Sequence, residues 1–324
     1  MSDRKVYINR NFTSELNAKI SIYDSALMFG DMVFEMTRSF NKVQFKLEEH
    51  IERLFLSAKN VSIDIQYTVE EIVSICNQLV EMNINAFEKD DEHRLMINLT
   101  RGPLSIYNSI DDLVDGPNLI ISDFPLKWTV QSMAPLFSEG INVVITNQKI
   151  IPAYLLDPKI KSRSRLHYMQ ANIEVSKIKG KNNWALLTDT DGFIAEGTGS
   201  NFLIVKNNKI ISPEPRNILR GISLDYVKFL SKKNNIPFIE KNIDRYDVLN
   251  ADEAFMTGTP FCMLPVMSLD QNPIGDGKRG KIFDLLLKSW NEEVGLDVEQ
   301  QIKNWNKNFK DNITITPYAF NKNK

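Results

Sequence analysis

Residues 184–205, WALLTDTDGFIAEGTGSNFLIV, constrain the fold more than any other part of this chain. Their apolar runs are short and are cut by Asp191-Gly192 and again by Gly197-Thr198-Gly199, a spacing too tight for helices. The stretch reads as strand, turn, strand and a further strand, so a sheet has to be built into the second half of the chain. Glu196 ends the Phe193-Ile194-Ala195 run and precedes small residues. A carboxylate there is either solvated in a turn or fixed at the end of a buried strand. In the second case the glycines let a ligand approach and the acid holds a proton on a buried partner.

Extended and helical patterns alternate elsewhere. KVYINRNF (5–12) alternates as a short strand, and VFEMTRSFNKVQFKL (33–47) reads as two strands turning at Asn41-Lys42. In EEHIERLFLSAKNV (48–61) Ile51, Leu54, Phe55 and Ala58 recur at helical spacing, a pattern repeated in 69–87. Residues 93–102, 117–124, 141–148, 238–243 and 253–258 are strand patterns, whereas 166–180 and 222–234 are helical. This order predicts a two-domain α/β (α+β) chain. Its smaller N-terminal unit spans 1–124; Pro125, Pro135, Gly140 and a first strand form a connection over 125–150. A larger second domain takes 151–298, and a Lys/Asn-rich tail over 299–324 is mobile or straps a neighbour.

A chain of 324 residues has ample length for a buried core. Lys and Arg total 39 against 41 Asp and Glu, so no dominant attraction to nucleic acid or to an anionic membrane is expected. Any basic patch is local. Cys76 and Cys262 are far apart with no CxxC spacing, and the three histidines are scattered, which argues against a disulfide framework and a zinc site. No run of about 18 apolar residues occurs, so the expectation is a cytoplasmic protein without a membrane partner.

The local patch is PKIKSRSRLHY (158–168), with Lys159, Lys161, Arg163 and Arg165 on alternate positions. It is a solvated edge, an anion-binding strand or the setting of one reactive lysine. A second anion candidate lies at LRGIS (219–223), where Gly221 permits close approach and the N–H groups of Ile222 and Ser223 open a helix. An ordinary serine cap gives the same pattern. Thr257 and Thr259 flank Gly258 at a strand end, where they meet a phosphate or shape a turn. His50 and Arg53, three apart, share one helix face, and Arg53 becomes a phosphate fork if that face is buried. GDGKRGK (275–281) satisfies GxGxxG, but Ile282 stands where a phosphate loop needs a hydroxyl and a turn pattern precedes it, so it reads as a plain turn. Asp111-Asp112 reads as an exposed acidic turn, and no serine, cysteine and histidine set has a nucleophile context.

Taken in order, FGDMVFEMTR (29–38), HIERL (50–54), TRG (100–102), IKSRSRL (160–166), DGFIAEGTGSNFLIV (191–205), LRGIS (219–223) and ADEAFMTGTPFCMLPV (251–266) resemble the fold-type IV pyridoxal-phosphate enzymes, the class IV aminotransferases. The ordered set runs from about residue 5 to 290 and is far more specific than any piece. The resemblance implies pyridoxal 5'-phosphate as cofactor, with Lys161 the catalytic Schiff-base lysine and Glu196 the partner of the pyridine nitrogen. It makes Arg53, Ile222, Ser223 and Thr259 phosphate ligands, and Phe34, Arg38, Arg101 and Thr257 substrate-binding candidates. A free lysine titrates near ~10.4, so Lys161 needs desolvation or nearby positive charge, which Arg163 and Arg165 share its side to supply if the segment is extended. Relatives often read Gly-Ile-Thr-Arg where this chain has Gly221-Ile222-Ser223-Leu224.

The implied reaction moves an amino group between a branched-chain or other small aliphatic amino acid and a 2-oxo acid. TRG is similar to D-amino acid aminotransferases and makes Arg101 the carboxylate candidate, whereas VFEMTR and GTGSNFLIV are equally similar to branched-chain enzymes. IKxxxRL also resembles aminodeoxychorismate lyases, which release pyruvate and 4-aminobenzoate with the same lysine. The family further implies a smaller N-terminal α/β domain, a larger barrel-like C-terminal domain that binds the cofactor, and a homodimer. A non-enzymatic reading, with Lys159 to Arg165 as a strip for nucleic acid, predicts affinity that falls steeply with salt, and the near-neutral charge disfavours it.

Overall fold

The computed structural model describes residues 4–107, 109–110 and 116–307. Asp111-Asp112 and the tail beyond Lys307 lie outside the described residues. The chain divides into two compact units, Met1–Leu126 with Ile160–Arg165, and Lys127–Lys159 with Leu166–Lys324.

The first unit opens with a hairpin, β1 (Lys5–Ile8) and β2 (Asn11–Ser14), followed by α1 (Ser25–Phe29), β3 (Met32–Met36) and a small hairpin of β4 (Ser39–Phe40) and β5 (Val43–Gln44). Helices α2 (Leu47–Asn60) and α3 (Val69–Asn83) and strands β6 (His93–Thr100) and β7 (Asn118–Pro125) complete it. KVYINRNF is thus two strands where the alternation predicted one. Asn9 and Arg10 take left-handed backbone, φ 45° and 69°, and reverse the chain. The turn at Asn41-Lys42 is where it was predicted, but β3 stops at Met36 because it pairs with β6 while the residues beyond Arg38 close their own hairpin.

The sheet is antiparallel in the order β2-β1-β7-β6-β3. Along β6, Leu95, Ile97 and Leu99 join Ile51, Leu54, Ile72 and Leu79 of the two long helices in one buried core. Strand alternation sends Met96 and Asn98 to the opposite face. Residues 160–165 then run along the edge strand β3. Phe34 N–H donates to the Lys161 carbonyl (2.9 Å), Arg163 N–H donates to the Met32 carbonyl (3.0 Å), and Val33 bridges Ser162 antiparallel. Lys161 N–H donates to Ser57 Oγ (3.1 Å), which ties the segment to α2 as well.

The second unit contains α4 (Lys127–Val130), α5 (Leu136–Glu139), β8 (Ile141–Ile145), α6 (Leu166–Val175) and β9 (Asn183–Thr188). It continues with β10 (Ile194–Gly197), β11 (Asn201–Lys206), β12 (Lys209–Ser212), α7 (Ile222–Lys233), β13 (Phe238–Glu240) and α8 (Arg245–Leu249). Strands β14 (Glu253–Gly258), β15 (Cys262–Leu269) and β16 (Asn272–Pro273) and helices α9 (Lys281–Val294) and α10 (Val298–Asn306) end it. Strand β10 pairs with both β9 and β11, so β10-β9-β8-β15-β14-β11 returns on itself as a closed barrel. Its strands are buried nearly throughout, which is why 184–205 reads as short continuous apolar runs rather than as alternation.

GDGKRGK is a turn, with Gly275 and Gly277 at φ 58° and 71°, and it leads into α9. The anion place at that helix start is filled by the chain itself. Glu253 accepts from the N–H groups of Ile282 (2.9 Å) and Phe283 (3.0 Å). Among the described residues, no helix is long and apolar enough to cross a membrane.

Candidate active site

In the barrel unit the polar groups gather around Glu196 at the end of β10. Its side chain is buried and accepts the Tyr168 hydroxyl on Oε1 (2.6 Å), and on Oε2 it accepts Leu219 N–H (3.0 Å) and the Asn201 amide (3.3 Å). Asn201 faces Glu196 across the β10–β11 pairing and Thr257 across the β11–β14 pairing. Its amide also donates to the Leu219 carbonyl (2.9 Å), which fixes the approach to α7. The sheet register therefore sets Glu196, the α7 entry and the β14 end around one asparagine.

Helix α7 begins at Ile222 with Gly221 as its cap residue, so Ser223 is inside the first turn and is not the cap. A glycine cap has no side chain to satisfy the first N–H groups, which suits that end to an external anion. Thr257 closes the β14–β15 turn by donating Oγ1 to the Cys262 carbonyl (2.7 Å), and Thr259 is half-buried within that turn.

The first unit carries the other candidates. Lys161 Nζ lies 5.0 Å from the centre of the Phe34 ring, with Arg163 at 3.6 Å and Arg165 at 5.1 Å from the same ring. Phe34 is buried on β3. The next residue, Glu35, is wholly buried and is gripped bidentately by Arg53 (Nε–Oε1 2.6 Å, Nη2–Oε2 2.9 Å) and by His50 Nδ1 (2.7 Å). Burial alone pushes the Glu35 carboxyl up, but Arg53 and His50 outweigh it and hold it well below the usual carboxylate range. Burial, with Arg53 and Lys161 nearby, lowers His50, so its neutral ring donates Nδ1–H to Glu35.

The two arginines weighed for a substrate carboxylate are engaged elsewhere. Arg101 gives Nε and Nη2 to Asp31 (2.5 and 3.1 Å), Nη1 to the Ser62 carbonyl (2.8 Å) and Nη2 again to the Val61 carbonyl (2.8 Å). It thereby holds the end of α2 against the turn before β3. Arg38 is 1 % exposed, stacks 3.9 Å from the Phe40 ring centre and donates Nε to the Ser39 carbonyl (3.2 Å).

A family profile described as "Amino-transferase class IV" matches residues 32–269, a span that holds every candidate from Phe34 to Thr259. The chain belongs to the class IV aminotransferases. A Methanocaldococcus jannaschii protein provisionally named a branched-chain-amino-acid aminotransferase is 34% identical over 291 residues, covering 89% of this chain and 96% of that protein. A D-alanine aminotransferase of Bacillus licheniformis is 28% identical over 279 residues, covering 86% of this chain and 93% of that enzyme. A branched-chain amino acid aminotransferase from T.th., crystallised as a complex with N-(5'-phosphopyridoxyl)-L-glutamate, superposes with a TM-score of 0.77 at 25% identity, covering 90% of this chain and 95% of that one.

Sequence reasoning missed three residues of this class IV aminotransferase. Glu35 carried a signal, a carboxylate in an apolar strand that could have been matched to the His50–Arg53 face. Asn201 also carried one, since it closes the Glu196-Gly-x-Gly-x-Asn201 stretch five residues from the carboxylate it serves; Tyr168 carried none, since it reaches Glu196 from 28 residues away.

Proposed function

We propose that this class IV aminotransferase uses pyridoxal phosphate to move an amino group from a branched-chain or other small aliphatic amino acid to a 2-oxo acid. The observation that carries the reading is Glu196, a buried carboxylate that accepts from Tyr168, Leu219 and Asn201; such donors favour its charged form, the form a protonated ring nitrogen needs as its acceptor. The uncapped start of α7 fits the cofactor's phosphate, and Gly221 leaves room for Asn201 beside it, since a Cβ there would meet Asn201 Oδ1 at 2.2 Å.

Bound pyridoxal phosphate supplies an aldehyde that captures amino groups and a ring that takes up the electrons of a broken Cα–H bond. Lys161 would hold the aldehyde end through Nζ and would be the base that carries the substrate Cα proton. Glu196 would keep the ring nitrogen protonated. Ile222 and Ser223 at the α7 start, with Thr259 and Arg53, would hold the phosphate. Phe34 and Thr257 border the substrate.

The small aliphatic preference rests on the names of the relatives. A homodimer is supported by the apolar surface where residues 22–29 meet 103–107, with Ile22, Leu27, Phe29 and Ile106 each at least 65 % exposed.

Lys161→Ala is expected to abolish the near-visible absorbance of the lysine-bound cofactor, while Lys159→Ala, whose ammonium pairs with Asp157 at 2.8 Å, keeps it. A purified Lys161→Ala protein with that absorbance and full activity overturns the reading. A donor and acceptor panel scored for both enantiomers, with pyruvate release from aminodeoxychorismate as its lyase arm, fixes the substrate. Sedimentation of the holoenzyme reports the dimer.

A further inference from the structure

We infer that Thr257 is a positioning residue, whose hydroxyl fixes the turn between β14 and β15 so that Thr259 faces the cofactor's phosphate. The inference refines the place of Thr257 beside the substrate and rests on the proposed phosphate role of Thr259. It separates two threonines that the sequence leaves equivalent. A threonine has one hydroxyl hydrogen to give. Thr257 is buried and gives it to the Cys262 carbonyl over 2.7 Å, whereas Thr259 is half-buried in the turn that this bond closes. An anion needs a donor, so of the two hydroxyls that of Thr259 suits it.

The backbone of the turn needs such a latch. Cys262 has φ 63°, and Met263 N–H donates to the Phe261 carbonyl over 2.8 Å, which makes Phe261, Cys262 and Met263 a γ-turn of the strained, left-handed kind. Among the described residues Cys262 is the one buried non-glycine with left-handed backbone; the others lie in exposed or half-exposed turns. A strained residue persists only where its surroundings hold it. Gly258 faces Cys262 in the β14–β15 register, and its missing Cβ leaves room for the Phe261 ring, whose Cζ would lie 3.0 Å from that atom. The ring stands edge-on to Trp184 of β9, with centres 5.8 Å apart. Thr257 holds the Cys262 carbonyl and pairs across β11–β14 with Asn201, the residue that ties the α7 entry. The two places proposed for the phosphate therefore share one register.

The test compares holoenzymes by the phosphorus NMR resonance of the bound cofactor and by its retention in equilibrium dialysis. Thr257→Val keeps the shape and removes the hydroxyl. It is expected to shift or broaden the resonance and to weaken cofactor binding about tenfold, with Thr257→Ser, which keeps the hydroxyl, recovering most of the loss. In a Thr259→Ala background Thr257→Val is expected to add less than about twofold, because both changes remove one contact. Full additivity there, or a resonance that Thr257→Val leaves unchanged, overturns the proposal. Should Thr257→Val fail to fold, Cys262→Gly carries the test, since glycine accepts other backbone conformations and loosens the turn without touching the hydroxyl. A broadened resonance with weaker binding supports the latch, and an unchanged resonance with binding within about twofold sinks it. The phosphate reading fails separately, by a Thr259→Ala protein that holds the cofactor as tightly as the unsubstituted one.

Discussion

Tyr168 donates its hydroxyl to Glu196 Oε1 over 2.6 Å, with both side chains buried in the barrel unit. Hydrogen bonds given to a carboxylate favour its charged form, so Tyr168 helps to keep Glu196 an acceptor rather than an acid. Tyr168→Phe removes one donor and little volume. The variant is expected to keep its cofactor and to lose about tenfold in kcat with KM little changed. The acid limb of its pH–rate profile moves to higher pH, because a carboxylate with one donor fewer takes up a proton more readily. A profile superimposable on that of the unsubstituted enzyme would show that Tyr168 only packs.

Glu35, His50 and Arg53 set an acid limit on stability. Both Glu35 and His50 titrate lower in the folded chain than in the unfolded one, so the unfolded chain gains protons first as pH falls. Stability is expected to decline below about pH 6.5 through His50 and below about pH 4.3 through Glu35. Urea midpoints measured across that window check the slope. His50→Asn, which keeps a donor toward Glu35, flattens its upper part. Glu35→Gln leaves the Arg53 charge largely buried without its carboxylate and is expected to cost about 3–5 kcal/mol near neutral pH.

Local pattern made the elements legible and long-range geometry hid the site. The strands at 184–205 and the helix around Ile51 and Leu54 follow from short apolar runs and from 3.6 periodicity, which neighbours in sequence impose. The reversal at Asn9-Arg10 escaped because the alternation continues across it, and only the two left-handed residues break it. Whether Ser223 caps α7 or lies inside it depends on where Gly221 ends the extended chain, a matter of one residue that no pattern resolves. Tyr168 meets Glu196 from 28 residues away, and Asn201 meets the Leu219 carbonyl from 18. Packing of α6 and of the α7 entry against the barrel strands creates those contacts, and such packing leaves no mark within a window of sequence.

Arg101 is expected to act on stability more than on substrate. Asp31 and the carbonyls of Val61 and Ser62 occupy four of its donor contacts, so Arg101→Gln uncaps the end of α2 and strands the Asp31 carboxylate. The site is about one-third exposed, which moderates the loss to about 1–2 kcal/mol by denaturant titration. KM for the amino donor should stay within about twofold, and a rise of an order of magnitude would return Arg101 to the substrate.

Gly221→Ala tests whether Asn201 couples the carboxylate to the phosphate end. The backbone at Gly221 has φ −74°, which any residue adopts, so the obstacle to a methyl group is space and not strain. That space belongs to Asn201, whose Oδ1 would lie 2.2 Å from the new Cβ and whose amide bridges the Leu219 carbonyl and Glu196. The methyl pushes directly on the side chain that joins the α7 entry to β10 and leaves the barrel core untouched. The variant is expected to fold and to bind pyridoxal phosphate about 10- to 100-fold more weakly, read by equilibrium dialysis, since small displacements of binding groups are costly. Asn201→Ala alone should weaken binding comparably. In the Gly221→Ala background it should add little, because both changes remove the same bridge. Full additivity of the two would show that the methyl acts on the helix start by another route, and the coupling through Asn201 would be lost.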